Sequence, residues 1–129
     1  MIRIALLSKW HVHAEGYAKQ FAAIPDVSIT VVWDEDPARG KAWADELGCD
    51  YEPCLEKALA REDVDAVSVC TATGMHKDVI IAAAKAGKAV FTEKVLSFTV
   101  REAREIADVI HETGVPFLIS LRRRTEARI

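Results

Sequence analysis

The sequence predicts an α/β fold, a doubly wound parallel sheet covered by helices on both faces to give three layers. Two observations support this prediction. Short runs of β-branched and apolar residues alternate along the chain with segments of helical periodicity. The strand-like runs are apolar throughout instead of alternating with polar residues, as a sheet buried on both faces requires.

The apolar runs predict five strands, and a weak sixth strand is expected at Asp50–Tyr51. The five are Ile2–Leu7, Ser28–Trp33, Ala66–Cys70, Ala89–Thr92 and Pro116–Leu121. Because a helical segment separates most neighbouring strands, we expect repeated right-handed crossovers and therefore parallel pairing.

The first helix is predicted from a stripe of apolar residues along one of its faces, and the second is predicted from residues typical of helix ends. The first helix carries apolar residues at the spacing that faces a sheet. They are Ala14, Tyr17, Ala18, Phe21 and Ala22. Asp36 is a capping residue and Pro37 fits the first helical position, so the second helix begins there. Gly48 predicts its end.

Three more helices follow. A short one is expected at about 54–60, and a longer one runs from about His76 to 86, before Gly87. The last begins at Thr99, because Glu102 three residues later completes a capping box.

Composition excludes several classes of protein. The 129 residues carry a formal net charge of −3, and the one basic run is Arg122–Arg124. We therefore expect no nucleic-acid partner and no anionic membrane surface. The apolar runs are too short to span a bilayer, and the N-terminus lacks a signal-peptide pattern. The three cysteines are an odd number without tight spacing, which indicates reduced thiols in a cytoplasmic protein.

Ligands of doubly wound sheets bind outside the carboxyl ends of the strands, where the strand order reverses. The first loop there, residues 8–13, has no glycine, although Ser8 could offer a hydroxyl to a phosphate at the N-terminus of the following helix. The alternative is a compact turn in which Trp10 packs on the sheet edge while His11 and His13 are solvated.

Asp34 follows the second predicted strand, where a carboxylate can accept the hydroxyls of an adenosine ribose. Glu35 and Asp36 come next, so a 2′-phosphate would meet three negative charges. This favours NAD over NADP. The alternative is that Asp34 only begins the turn before the next helix.

The loop after the third long strand contains Thr71, Ala72 and Thr73, which are small enough for a nicotinamide ribose to come close. His76 then begins a helix, either as a ligand contact or as an exposed residue at the helix start.

Glu93 and Lys94 follow the fourth long strand. Lys94 there could bind a substrate hydroxyl or assist proton transfer, although a surface charge is the alternative. His11 and His13 could suggest a metal ion. Two histidines two residues apart converge only on an extended segment, and no nearby acid or cysteine clearly completes a ligand set. We therefore expect no metal site.

Longer segments carry a family resemblance. VDAVSVCTATGMHKDVIIAAAKAGKAVFTEK and TEKVLSFTVREAREIAD closely resemble the region around the EKP motif of the Gfo/Idh/MocA oxidoreductases. VVWDEDPARGKAWADELG and HVHAEGYAKQF resemble that family's second strand and helix and its first helix. The resemblance spans nearly the whole chain, and 65–94 is its most specific part. It implies a Rossmann domain of a nicotinamide-dependent oxidoreductase acting on sugars, inositols or related polyols.

By motif position, the resemblance assigns roles to single residues. Lys94 would be the catalytic or substrate-binding lysine. The residues placed at the cofactor are Ser8, Trp10, His11, His13, Asp34, Thr71, Ala72, Thr73, His76 and Glu93.

The sequence departs from the family pattern in three places. The loop 8–13 is shorter than the usual glycine-rich turn and lacks glycine. Val95 replaces the usual proline, so we expect a trans bond that could turn Lys94 aside, because a cis non-proline peptide costs about 3 kcal/mol. We also expect these 129 residues not to include the family's second, substrate-binding domain.

We expect residues 1–121 to form the dinucleotide-binding domain and 122–129 to begin a connection. The chain alone would be catalytically incomplete, and its uncovered apolar face would favour homo-oligomers. The alternative is a non-catalytic nucleotide-binding or association module that has lost its glycine-rich loop.

Overall fold

The computed structural model describes residues 1–120. Its strands are β1 (Ile2–Leu7), β2 (Val27–Trp33), β3 (Asp50–Tyr51), β4 (Ala66–Val69), β5 (Ala89–Thr92) and β6 (Phe117–Ile119). Its α-helices are α1 (Ala14–Ala22), α2 (Pro37–Leu47), α3 (Leu55–Leu59), α4 (His76–Lys85) and α5 (Val100–Thr113), with a 3₁₀ turn at Thr73–Met75 before α4.

The six strands form one parallel sheet in the order β3-β2-β1-β4-β5-β6. The predicted doubly wound parallel sheet is therefore confirmed, with the reversal of strand order between β1 and β4. The weak strand at Asp50–Tyr51 is present at one edge. The strand expected at Pro116–Leu121 is shorter among the described residues, at Phe117–Ile119. Leu121 and the connection expected at 122–129 lie outside the described residues.

Two apolar clusters, one on each face of the sheet, give the three layers. On one face, α1 and α2 pack Ala14, Tyr17 and Trp43 against Leu6 and Val32. On the other face, α3, α4 and α5 cover the sheet with buried side chains that include Leu59, Ile80 and Ile106. Burial on both faces is why the strands are apolar along their whole length.

The helix ends follow the predicted signals. Asp36 accepts a hydrogen bond from the Arg39 amide at 3.2 Å, and Thr99 accepts one from the Glu102 amide at 3.1 Å. Gly48 ends α2 with a φ of 73°, a left-handed conformation that favours glycine. Local chemistry therefore fixes where α2 and α5 begin.

Large apolar side chains remain exposed around α5 and the outer strand β6, on Val95, Phe98, Val100 and Leu118. The homo-oligomer expected from such a face stays a prediction. Within residues 1–120, no helix is both long enough and apolar enough to cross a bilayer.

Candidate functional site

The glycine-free loop, residues 8–13, ties together the carboxyl ends of four strands. At β2, the Ser8 amide donates to the Trp33 carbonyl at 2.6 Å. At β4, the His11 amide donates to the Cys70 carbonyl at 3.0 Å. At β5, the His13 ring contacts Glu93. The loop follows β1 directly, so one segment organises the whole edge where the predicted site residues meet.

Ser8 is engaged in its own turn. It is buried, and its Oγ accepts a hydrogen bond from the Trp10 amide at 3.0 Å. Its φ of 81° is left-handed, a region in which glycine is the usual residue. The hydroxyl oxygen closes the turn as an acceptor, and its own O–H is left as a donor, so the expected role of Ser8 at a phosphate stays a prediction. Trp10 is 53% exposed, so the alternative in which it packs on the sheet edge is wrong.

Asp34 is a buried carboxylate held by four donors. Arg39 contacts it with two nitrogens, at 2.9 and 2.6 Å, and the amides of Lys9 and Asp36 each donate at 2.9 Å. Burial acts to raise the pKa of Asp34, but the hydrogen bonds from Arg39 and the two amides outweigh it and lower the pKa. Asp34 is therefore ionised at neutral pH, and it does more than begin a turn.

Arg39 was missed by the sequence analysis. It lies five residues after Asp34 in the first part of α2, and it also approaches a Glu35 carboxylate oxygen at 3.4 Å. A 2′-phosphate would therefore meet the Arg39 guanidinium as well as the three expected carboxylates. The sequence did contain one indication of Arg39. Asp34, Glu35 and Asp36 are three consecutive acidic residues, and a carboxylate of such a cluster that is buried needs a cation beside it.

The loop after β4 brings Thr71 and His76 together inside the protein. Thr71 is buried, and its hydroxyl has no hydrogen-bond partner within residues 1–120. His76 is 1% exposed, with Nε2 at 3.2 Å from the Thr71 carbonyl and Nδ1 at 3.1 Å from the Leu96 carbonyl. The alternative of an exposed His76 is wrong, because the ring joins the loops that follow β4 and β5. Ala72 and Thr73 are partly exposed beside it.

Glu93 is fully buried at the end of β5 and faces α1. Its Oε2 accepts hydrogen bonds from the Tyr17 hydroxyl and from His13 Nδ1, the latter at 3.2 Å, and its Oε1 accepts from the Lys94 amide at 3.1 Å. Burial acts to raise the pKa of Glu93, but hydrogen bonds, that of Tyr17 first, lower it below its usual range. Burial and this same carboxylate raise the pKa of Tyr17 to about 12. The Glu93 carboxylate therefore faces Tyr17 of α1. Its expected place near a nicotinamide stays a prediction.

Tyr17 was read from the sequence only as a member of an apolar stripe. Its ring packs edge-on against Phe91, while its hydroxyl contacts Glu93 and lies 2.9 Å from Ser120 Oγ. A tyrosine buried within an apolar stripe needs a polar partner for its hydroxyl, and this was the signal available in the sequence.

Lys94 lies exposed beside Glu93. Within residues 1–120, no carboxylate oxygen approaches its Nζ within 4.0 Å. The peptide bond between Lys94 and Val95 is cis, so the expected trans bond is wrong. The expectation rested on the general preference of non-proline peptide bonds for the trans form, and this bond is an exception to that preference.

His11 and His13 converge without an extended segment. Their ring centroids are 4.7 Å apart, because the chain turns between them and the His13 amide donates to His11 Nδ1 at 3.1 Å. Both rings are partly buried, so the alternative of solvated histidines is wrong. Burial lowers the pKa of His11. Glu93, distant in sequence, lies beside both rings, so the expectation that no acid completes the set is also wrong.

Comparisons with known proteins agree with this architecture. A family model (GFO_IDH_MocA), described as an oxidoreductase family with an NAD-binding Rossmann fold, matches residues 9–120. The chain is 31% identical over 123 residues to inositol 2-dehydrogenase of Rhizobium meliloti. This alignment covers 95% of this chain and 37% of that enzyme.

Two solved structures are also similar. A putative myo-inositol dehydrogenase from Sinorhizobium meliloti matches with a TM-score of 0.91 and 30% identity, over 98% of this chain and 38% of that one. A putative NADPH-dependent oxidoreductase from Desulfitobacterium hafniense matches with a TM-score of 0.87 and 26% identity, over 92% of this chain and 34% of that one.

The chain therefore spans little more than a third of the length of these relatives. The part matched by the family model contains strands β2 to β6 and the five α-helices, and it includes the Glu93-Lys94 pair after β5. This chain belongs to the Gfo/Idh/MocA oxidoreductase family and has the Rossmann fold of that family's NAD-binding domain.

Proposed function

We propose that this chain binds a nicotinamide dinucleotide along the carboxyl edge of its sheet, as the cofactor-binding part of an oxidoreductase. The position of Asp34 carries the proposal: an ionised carboxylate at the end of β2, joined to the loop 8–13 through the Lys9 amide at 2.9 Å. The family and the fold support it, because such domains bind the ribose beside β2 and the diphosphate at the first helix.

The first turn of α1 is open enough for a diphosphate. A Cβ placed on Gly16 would meet no atom within 4 Å, so a ligand can come close to the backbone there. The amides of a helix N-terminus and the helix dipole favour an anion at this position. Glu15 in the same turn opposes an anion, but Lys9 lies 4.0 Å from its carboxylate. Trp10 and His11 would form the wall of this subsite.

We propose NAD as the cofactor, with Asp34 accepting the ribose hydroxyls. Arg39 is the residue in the described chain that could favour a 2′-phosphate, but its guanidinium already contacts Asp34 and Glu35. A 2′-phosphate would have to compete with both carboxylates for it. The ribose hydroxyls of NAD would have to displace Arg39 from Asp34, because four donors already use both carboxylate oxygens. They bring no charge, however, that Asp34, Glu35 and Asp36 would repel.

The substrate class follows from the relatives, which are named as inositol dehydrogenases. We propose a sugar, inositol or related polyol. When bound, the nicotinamide would supply the chemistry of hydride transfer, from a carbinol carbon or to the carbonyl carbon that forms from it. Thr71, Ala72 and Thr73 would lie along its ribose, with His76 fixing their loop. Lys94 would hold the substrate hydroxyl at Nζ and move its proton.

A second candidate is a non-catalytic nucleotide-binding or association module. Two contacts favour it: the Asp34 oxygens are shared with Arg39, and the Ser8 hydroxyl closes its own turn. Such a protein would bind dinucleotides weakly or not at all.

Isothermal titration of the 129-residue chain with NAD and with NADP separates these candidates. We expect NAD to bind more tightly than NADP, and Asp34→Ala to abolish binding. Asp108→Ala is the matched control, because Asp108 is exposed on α5. Absence of heat at millimolar NAD supports the non-catalytic module, and tighter binding of NADP contradicts the assignment of NAD.

A further inference from the structure

Three side chains of metal-binding type meet beside the loop 8–13. One ring nitrogen each of His11 and His13 and one carboxylate oxygen of Glu93 lie within 4.8 Å of one another. We propose that these residues form a site for a divalent transition-metal ion, and that zinc is the ion they favour. This site goes beyond the proposed dinucleotide function and is tested without any nucleotide.

The buried charge of Glu93 supports a cation at this position. The carboxylate is completely inaccessible to solvent. Within residues 1–120, the one basic side chain within 4.0 Å of it is His13, which is cationic only when protonated. Its other donors, the Tyr17 hydroxyl and the Lys94 amide, are neutral. These hydrogen bonds keep the carboxylate ionised, but no permanently charged basic side chain of the described residues lies against it, so a bound divalent ion would supply a neutralising charge.

The ligand types select the class of ion. Two imidazoles with one carboxylate form a set that zinc uses in enzymes, where three protein ligands leave a fourth position for water or substrate. Magnesium and calcium prefer sites made of oxygen atoms, and copper(I) prefers sulfur. The His11 and His13 rings are partly exposed, so an ion has a route from solvent.

The geometry needs a small adjustment. Zinc bonds of about 2.0 to 2.2 Å place tetrahedral ligand atoms roughly 3.3 to 3.5 Å apart. His13 Nδ1 already lies 3.2 Å from Glu93 Oε2, and the three ligand atoms all lie within 4.8 Å of one another, so a pair would have to shorten by at most about 1.5 Å. Glu93 stays fixed by Tyr17 and the Lys94 amide, so the two imidazoles would move. Both belong to a turn whose Val12 side chain is 87% exposed, so this movement does not disturb the core.

The fixed carboxylate also gives the site its support. Residues that hydrogen-bond a metal ligand orient it, and their loss typically costs about 10- to 100-fold in metal affinity. Tyr17 would act in this way, because its hydroxyl donates a hydrogen bond to Glu93. We therefore expect Tyr17→Phe to weaken zinc binding without removing any ligand.

The test is a calorimetric titration with zinc chloride. The 129-residue chain is first treated with a chelator and dialysed. We expect one ion per chain, with His11→Gln and His13→Gln each weakening binding by more than the roughly 10- to 100-fold expected for a supporting residue. His111→Gln is the matched control, because His111 is exposed in the last turn of α5. Circular dichroism checks that each variant is folded.

Cobalt absorption provides a second readout, because tetrahedral cobalt has a stronger visible spectrum than hexahydrated cobalt. We expect that spectrum in the wild type and its loss in His11→Gln. Cys49→Ser and Cys54→Ser should leave zinc binding unchanged. The proposal is overturned if the wild type does not bind zinc, if His11→Gln binds as tightly as the wild type, or if the cysteine variants lose the site. These measurements contain no nucleotide, so failure of the zinc site is distinguished from failure of NAD binding, which the separate titration with NAD measures.

Discussion

Replacing Gly40 with alanine should destabilise this protein, although alanine normally stabilises a helix. Gly40 is buried in α2. A Cβ built there would lie 2.7 Å from the Asp34 Cβ and 2.8 Å from Tyr51 Cε1, closer than carbon atoms approach without a shift. Asp34 cannot move freely, because Arg39 and two backbone amides hold its carboxylate.

The magnitude follows from two opposing contributions. Alanine in a helix interior gains about 1 kcal/mol over glycine. Overpacking of a filled site costs about 1 to 3 kcal/mol. Because Asp34 is buried and held by four donors, we place the cost in the upper part of that range, which leaves a net loss of about 1 to 2 kcal/mol. A displaced Asp34 should also weaken NAD binding.

Urea unfolding followed by circular dichroism measures this change. The matched control is Gly16→Ala in α1, where an added Cβ meets no atom within 4 Å. This control should gain roughly 0.5 to 1 kcal/mol in the free energy of unfolding. The reasoning is refuted if Gly40→Ala is as stable as the wild type, or if both variants change stability by the same amount and sign.

Two further substitutions test other contacts by the same unfolding measurement. Because the pKa of Glu93 is lowered in the folded state, its stabilising contribution is present above about pH 4.3, its unfolded pKa, and is lost as the pH falls through the lower folded value. Glu93→Gln should therefore reduce stability at neutral pH and flatten this acid dependence, and an unchanged profile would contradict the hydrogen bonds assigned here. Thr99→Ala should cost about 1 kcal/mol through loss of the cap of α5, whereas Thr113→Ala, at the exposed end of that helix, should cost less.

The fold could be predicted because its signals are local or repeated. Burial on both faces makes each strand apolar throughout, and the caps at Asp36 and Thr99 lie within three residues of the amides that they bind. The disagreements lie at strand ends. Cys70, for example, was expected in β4 but follows it, and its carbonyl accepts the His11 amide.

The candidate site was predictable only in position. Parallel strands bring their carboxyl ends to one edge, which located Asp34, Thr71, Glu93 and Lys94. Their partners were not predictable, because Tyr17 and His13 reach Glu93 from 76 and 80 residues away. A periodic pattern shows which face of a helix is buried, but not which polar tip will meet a distant carboxylate.

The loop 8–13 contributes to both proposed sites, the dinucleotide site and the zinc site. A glycine-rich turn leaves space for a diphosphate, whereas this loop carries two imidazoles whose centroids are 4.7 Å apart. Ser8 takes the left-handed conformation, with a φ of 81°. A dinucleotide would therefore have to lie over the first turn of α1, near the open backbone at Gly16. Attraction of its phosphates then depends on the helix N-terminus and on any positive charge held by the histidines. If zinc binds at His11, His13 and Glu93, its charge favours the nearby anion, so by linkage each ligand should bind more tightly in the presence of the other.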